Sequence, residues 1–126
     1  MRAVILGFVM ALAFARPAFA DPTYLECTLA APQSTSVSHL DVTLNEASNT
    51  AGFLLRETGY SPQNIPAVFT AREVTFTIPG SLNACSIYRI DRVSLEFSND
   101  VRSVDGSSLV VRTGTCVVAS VPQRAF

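Results

Sequence analysis

Lysine does not occur in this chain, histidine occurs once, and all nine basic residues are arginine. The missing lysine reads as codon bias of a GC-rich bacterial genome and carries no mechanism. One histidine, His39, cannot build an imidazole-rich metal site. Zinc takes three or four His, Cys or carboxylate ligands, and His39 with Asp41 supplies two at most. Cysteine occurs three times, at Cys27, Cys85 and Cys116, and never as a C-x-x-C pair, which removes the usual thiolate metal and redox motifs. No G-x-S-x-G elbow is present to strain a serine into a nucleophile. Periodicity of 3.6 is nearly absent, and no apolar run approaches the ~20 residues a membrane-spanning helix needs. These absences leave no cofactor and no metal to expect, and no catalytic constellation, so the chain reads as a non-enzyme.

What is present begins with an export signal. Met1-Arg2 precedes an apolar run from Ala3 to Phe14, and Arg16-Pro17 leads into Ala18-Phe19-Ala20 before Asp21. A positive start, a short apolar stretch and small residues at the cut are the parts of a cleavable signal peptide over residues 1–20. The mature chain is then one domain, residues 21–126, working in the periplasm or secreted. Cleavage takes Arg2 and Arg16 with it, leaving seven arginines against ten acidic residues, a net charge of −3. A protein of that sign has no electrostatic reason to seek nucleic acid or anionic lipid.

In an oxidising compartment two of the three cysteines should pair. Spacing allows all three pairings. Cys27 with Cys116 is favoured because it would tie the first strand of the mature chain to the last, leaving Cys85 as a buried thiol. In the chain-entropy description a loop of that length stabilises by about 4–5 kcal/mol.

Period-two alternation runs almost throughout. Leu25, Cys27 and Leu29, then Leu40, Val42 and Leu44, mark the buried faces of two strands, and Gly52 to Leu55 a third. Arg56 to Pro66, with two prolines and Gly59, is the longest irregular stretch and the natural place for a functional loop. Val74, Phe76 and Ile78 resume the alternation up to Pro79-Gly80. The strand returning from Cys85 carries Tyr88 and Ile90 on one face, but Val93, Leu95 and Phe97 are offset by an odd number. A β-bulge at Asp91-Arg92 would account for that slip. Ser98 to Ser108, with Asp105-Gly106, reads as a polar turn, and Leu109 to Ala119 as a last strand kinked at Gly114. About seven short strands predict an all-β domain, a small antiparallel meander forming a curved sheet or partly closed barrel.

Candidate sites are few. His39 and Asp41 share a strand face and could serve a small hydrolase, with Asp41 orienting the imidazole; a solvated edge explains them more simply. Asn99, Asp100 and Asp105-Gly106 do not match a calcium loop, and turn chemistry accounts for them. Arg89, Asp91 and Arg92 form a charged patch fit for an acidic partner or a glycan, with surface ion pairing as the plain alternative. Phe126 is a residue that outer-membrane barrels also end on, but Pro122, strands short of ~9–11 residues and the lack of an aromatic girdle argue against stable membrane insertion after cleavage.

Tyr88-Arg89-Ile90-Asp91-Arg92-Val93, then Gly114-Thr115-Cys116 and Arg124-Ala125-Phe126, together with the leader and Cys27, resemble small exported proteobacterial proteins of no established function. The chain departs from their pattern at Ser94-Leu95, where a glycine is usual. The resemblance implies the Cys27 to Cys116 pairing and the bulged strand, and no activity. The expectation is therefore an exported β-domain that acts by binding an envelope protein or a glycan. Inhibition of a cell-wall hydrolase and a structural or assembly role are the alternatives.

Overall fold

The computed structural model describes residues 22–80 and 83–120. The expected leader, its cut before Asp21, and the C-terminal Pro122 and Phe126 lie outside them. The described chain forms β1 (Thr23–Leu29), β2 (Ser38–Asn45), β3 (Thr50–Leu55), β4 (Ile65–Phe69), β5 (Glu73–Pro79), β6 (Cys85–Asp91), β7 (Glu96–Arg102) and β8 (Ser108–Ala119). Each strand pairs antiparallel with the next, and β8 returns to β1, so the meander closes into a barrel. Closure removes the two free edges that an open sheet would expose for pairing with other chains. β8 has twelve residues, beginning one position before the expected Leu109, while the other strands have five to eight.

Alternation decides which side chains fill the barrel. Leu25, Cys27, Leu29, Leu40, Val42, Leu44, Val74, Phe76 and Ile90 are all buried, on the faces their spacing assigns. Phe53, Phe76 and Phe97 occupy the middle, with Tyr88 among them: its ring centre lies 5.1 Å from that of Phe76 and 5.2 Å from that of Phe53. An eight-stranded barrel is just wide enough for its side chains to fill, and here the aromatic layer fills the centre.

The disulfide joins Cys27 to Cys116, which sit directly opposite each other across the β1–β8 seam. Both are almost fully buried, so the bond lies inside the closure it secures. A disulfide here is consistent with an oxidising compartment. Cys85 is free and only half-buried, on the outer face of β6, not the buried thiol expected. At Gly114 strand β1 passes so close that a Cβ atom would lie 1.7 Å from the carbonyl oxygen of Thr28. Only glycine lets β8 pack there.

Two readings of the second half are corrected. The parity slip at Asp91-Arg92 is no bulge within one strand: β6 ends at Asp91, and residues 92–95 turn the chain into β7. The Asp91 carboxylate accepts hydrogen bonds from the backbone N–H groups of Val93 (2.8 Å) and Ser94 (2.9 Å), and Leu95 takes a positive φ of 64°. A bulge and a four-residue turn produce the same odd offset; the Asx turn is what this segment adopts. The irregularity in pairing falls instead at Val101/Arg102. Ser98 to Arg102, expected as turn, belongs to β7, and the turn proper is confined to 103–107. Also unforeseen is β4, which pairs with β3 over only two positions before joining β5. Among the described residues no helix is long and apolar enough to cross a membrane.

Candidate functional site

The connections between β1 and β2, β3 and β4, β5 and β6, and β7 and β8 gather at one end of the barrel, here called the loop end. The longest irregular stretch, between β3 and β4, does not hang free. Past the short β3–β4 pairing it runs on beside β3, with Phe53 N–H donating to the carbonyl of Pro62 (3.1 Å) and Leu55 N–H to that of Tyr60 (2.8 Å). The Gln63 side chain lies across Gly52, where a Cβ would meet its Oε1 at 2.4 Å. Gly59, at φ 81°, turns the tip.

One ion pair and one hydrogen-bonded pair fasten the base of this loop to β2. Arg56 donates from Nη2 (2.6 Å) and Nε (3.1 Å) to Asp41, whose carboxylate raises the guanidinium's already high pKa. The imidazole Nδ1 of His39 lies 2.7 Å from Glu57 Oε2, and the backbone N–H of His39 donates to the same carboxylate. Those contacts, the backbone one first, hold the Glu57 pKa below the ordinary carboxylate value. His39 and Asp41 thus engage different residues. No hydrogen bond joins Asp41 to His39, and the carboxylate on the imidazole is that of Glu57.

Tyr60 sits on the loop with its ring edge against Phe53, the centres 6.1 Å apart, and remains 52% exposed. Below it, Tyr88, Asn99 and Arg112 form one row across β6, β7 and β8, paired Tyr88 to Asn99 and Asn99 to Arg112. All three share the inward parity of Ile90, Phe97 and Cys116. Asn99 is buried, and its Oδ1 accepts from Arg112 Nη1 at 3.1 Å. Because guanidinium only donates, that bond fixes which way the amide points. Its Nδ2 is left with no hydrogen-bond partner, a state that costs roughly 1–3 kcal/mol for a buried polar group. Burial pushes the Tyr88 phenol above its usual pKa, with Tyr60 adding to the shift and Arg112 opposing it.

At the opposite end a mixed recess of about 510 Å³ is lined by Leu25, Leu44, Phe69, Val74, Ile90 and Val118 together with the polar Thr23, Glu46 and Arg92. Arg92 and Glu46 close its rim: Nη2 lies 2.8 Å from Glu46 Oε1, Nη1 donates to the carbonyl of Thr70 (2.6 Å), and the guanidinium rests 5.8 Å from the centre of the Phe69 ring. Arg89 and Asp91 lie elsewhere, on the outer wall, in a shallow groove of about 560 Å³ shared with Glu73, Glu96 and Ser98. There Arg89 faces Glu73 at 3.5 Å, and Asp91 is occupied by its turn. The fold therefore brings Arg89 and Asp91 together and sends Arg92 to the rim.

Sequence reading missed Asn99 and Arg112 as lumen residues. Once Phe97 and Cys116 are known to face inward, counting by two from each reaches Asn99 and, past Gly114, Arg112. Among the described residues no group of three or more His, Cys, Asp or Glu side chains converges on a metal position. Comparison of the chain with protein-family models, with curated proteins and with solved structures finds no match.

Proposed function

We propose that this chain is an exported binding domain of the bacterial cell envelope, which presents the loop end of its barrel to a protein or glycan partner. The observation that carries the reading is the fastened loop over 56–64: backbone pairing to β3 and the side-chain bonds of Arg56 to Asp41 and of His39 to Glu57 hold an exposed tyrosine in place before any partner arrives. Ordering a loop on binding costs free energy, so a loop already ordered binds more tightly for the same contacts. Tyrosine and arginine are the residues that most often dominate such contacts. Export follows from the leader at residues 1–20, and the Cys27–Cys116 bond suits the compartment it implies.

Inhibition of a cell-wall hydrolase is the specific form that the loop favours. A run of exposed residues from Arg56 to Ser61 at one end of a rigid barrel has the shape of a plug for a cleft. The test is capture from envelope extract with the intact protein and with Tyr60→Ala. A partner recovered by the first and lost with the second supports the reading, and equal recovery, or none by either, overturns it. Hydrolysis of purified cell walls by lysozyme, unchanged at a large excess of the protein, removes the inhibitor form. Concentration-dependent self-association in light scattering would favour an assembly role instead.

A further inference from the structure

Six arginines fall within the described residues, and five of them have a carboxylate within 4.0 Å: Arg56, Arg72, Arg89, Arg92 and Arg102. Arg112 has none among the described residues, and it is the one that turns into the barrel. Beside it, Asn99 is 1% exposed and carries an amide nitrogen with no acceptor. The neighbouring hydroxyl of Tyr88 can also donate. The row therefore offers more N–H and O–H donors than acceptors, and one buried donor is left unpaired.

From this we infer that the loop end of the lumen is a binding site for a carboxylate, with Arg112 as its cation and Asn99 and Tyr88 as flanking donors. An ionised carboxylate only accepts hydrogen bonds, and its two oxygens match the planar fork of a guanidinium. Phosphate suits the row less well, since near neutrality it brings up to two negative charges to a single cation. Arg112 and Tyr88 are partly exposed and Asn99 is sealed between them, so an entering anion meets the guanidinium first. Asn99 Oδ1 has a second part, holding the guanidinium in place. The carboxylate could belong to a small organic acid or to a chain terminus. The site stands apart from the loop reading, because a small anion can test it with no partner present.

The test is a titration of the ¹⁵N-labelled protein at neutral pH with sodium benzoate, N-acetylalanine, N-acetylalanine amide and sodium phosphate, at matched ionic strength. The side-chain resonances of Arg112 Nε and Asn99 Nδ2 are the readout. Saturable shifts are expected with benzoate, N-acetylalanine or both, and which of the two binds tells an aromatic acid from a terminal carboxylate. Binding of the amide or of phosphate should be about tenfold weaker or more. In Arg112→Gln the carboxylate affinity should fall by about tenfold or more. Asn99→Asp gives a second test by supplying the missing carboxylate from within the protein. It should fold and should no longer bind either acid. The inference is overturned by any of four results: no saturable shift with either acid, phosphate binding as tight as carboxylate, carboxylate binding that survives Asn99→Asp, or an Asn99→Asp protein that does not fold.

Discussion

The imidazole of His39 is hydrogen bonded to Glu57, 18 residues away, at 2.7 Å, although Asp41 stands two positions along the same strand. Alternation put His39 and Asp41 on one face, and that was right. What it could not show was that each would be claimed by a different residue of the loop that packs beside them. Both members of the pair fasten the loop.

These fasteners make the loop sensitive to acid. The folded-state pKa of Glu57 lies below its ordinary 4.5, so its contribution is fully present above that value and is lost as pH falls through the depressed folded one. Protection of the Leu55 amide against hydrogen exchange, taken relative to the intrinsic rate at each pH, should fall over that range in the native protein, since this N–H donates to Tyr60. In Glu57→Gln that protection should be lower at neutral pH and should respond far less to acid.

Asp105 offers a cleaner titration. The hydroxyls of Ser103 and Ser107, with the Ser107 backbone N–H, depress its pKa from 3.8 to about 2. The turn between β7 and β8 is thus supported above pH 3.8 and loses that support as pH falls toward 2. Carboxyl NMR should place Asp105 among the lowest-titrating groups. Replacing both serines with alanine should return it toward the ordinary value.

Reducing the barrel seam should cost more than its outer turns would. Cys27→Ala with Cys116→Ala is expected to lower unfolding free energy by about 2–5 kcal/mol, read from denaturant midpoints. With the disulfide intact, thiol titration of the native protein should find one reactive group at the half-buried Cys85. Three thiols should appear only after reduction and unfolding.

Gly114→Ala should be destabilising out of proportion to one methyl group. The added carbon would occupy the space of the Thr28 carbonyl, so β1 and β8 must part where they close the barrel. A loss of about 3 kcal/mol or more is expected from such overpacking. Thr113→Ala, next along the chain with its side chain exposed, should cost well under 1 kcal/mol and serves as the control.

The unforeseen β6–β7 turn shows where local reading stops. Asn49 and Gly106 mark their turns by residue types that accept positive φ. At the β6–β7 turn the left-handed position is taken by Leu95, and nothing about leucine announces it. Asp91, which caps that turn with its side chain, looked in sequence like one member of a charged patch with Arg89 and Arg92. A short turn lacking glycine or asparagine at its left-handed position is hidden because its cost is met by contacts formed only on folding.

Period-two patterning determined by itself that this chain would be all-β, and which faces of β1, β2 and β5 would be buried. A strand has only two faces, so one inward residue settles its neighbours. Its cysteine positions likewise favoured the bond that joins the first strand to the last. Tertiary structure decided what depends on which strands become neighbours. It closed the meander on itself, ran the loop alongside β3, turned Asp41 and His39 to Arg56 and Glu57, and set Tyr88, Asn99 and Arg112 in one row. Register between strands is set by the whole closed barrel and not by any one segment, which is why an arginine inside it was invisible until the barrel was closed.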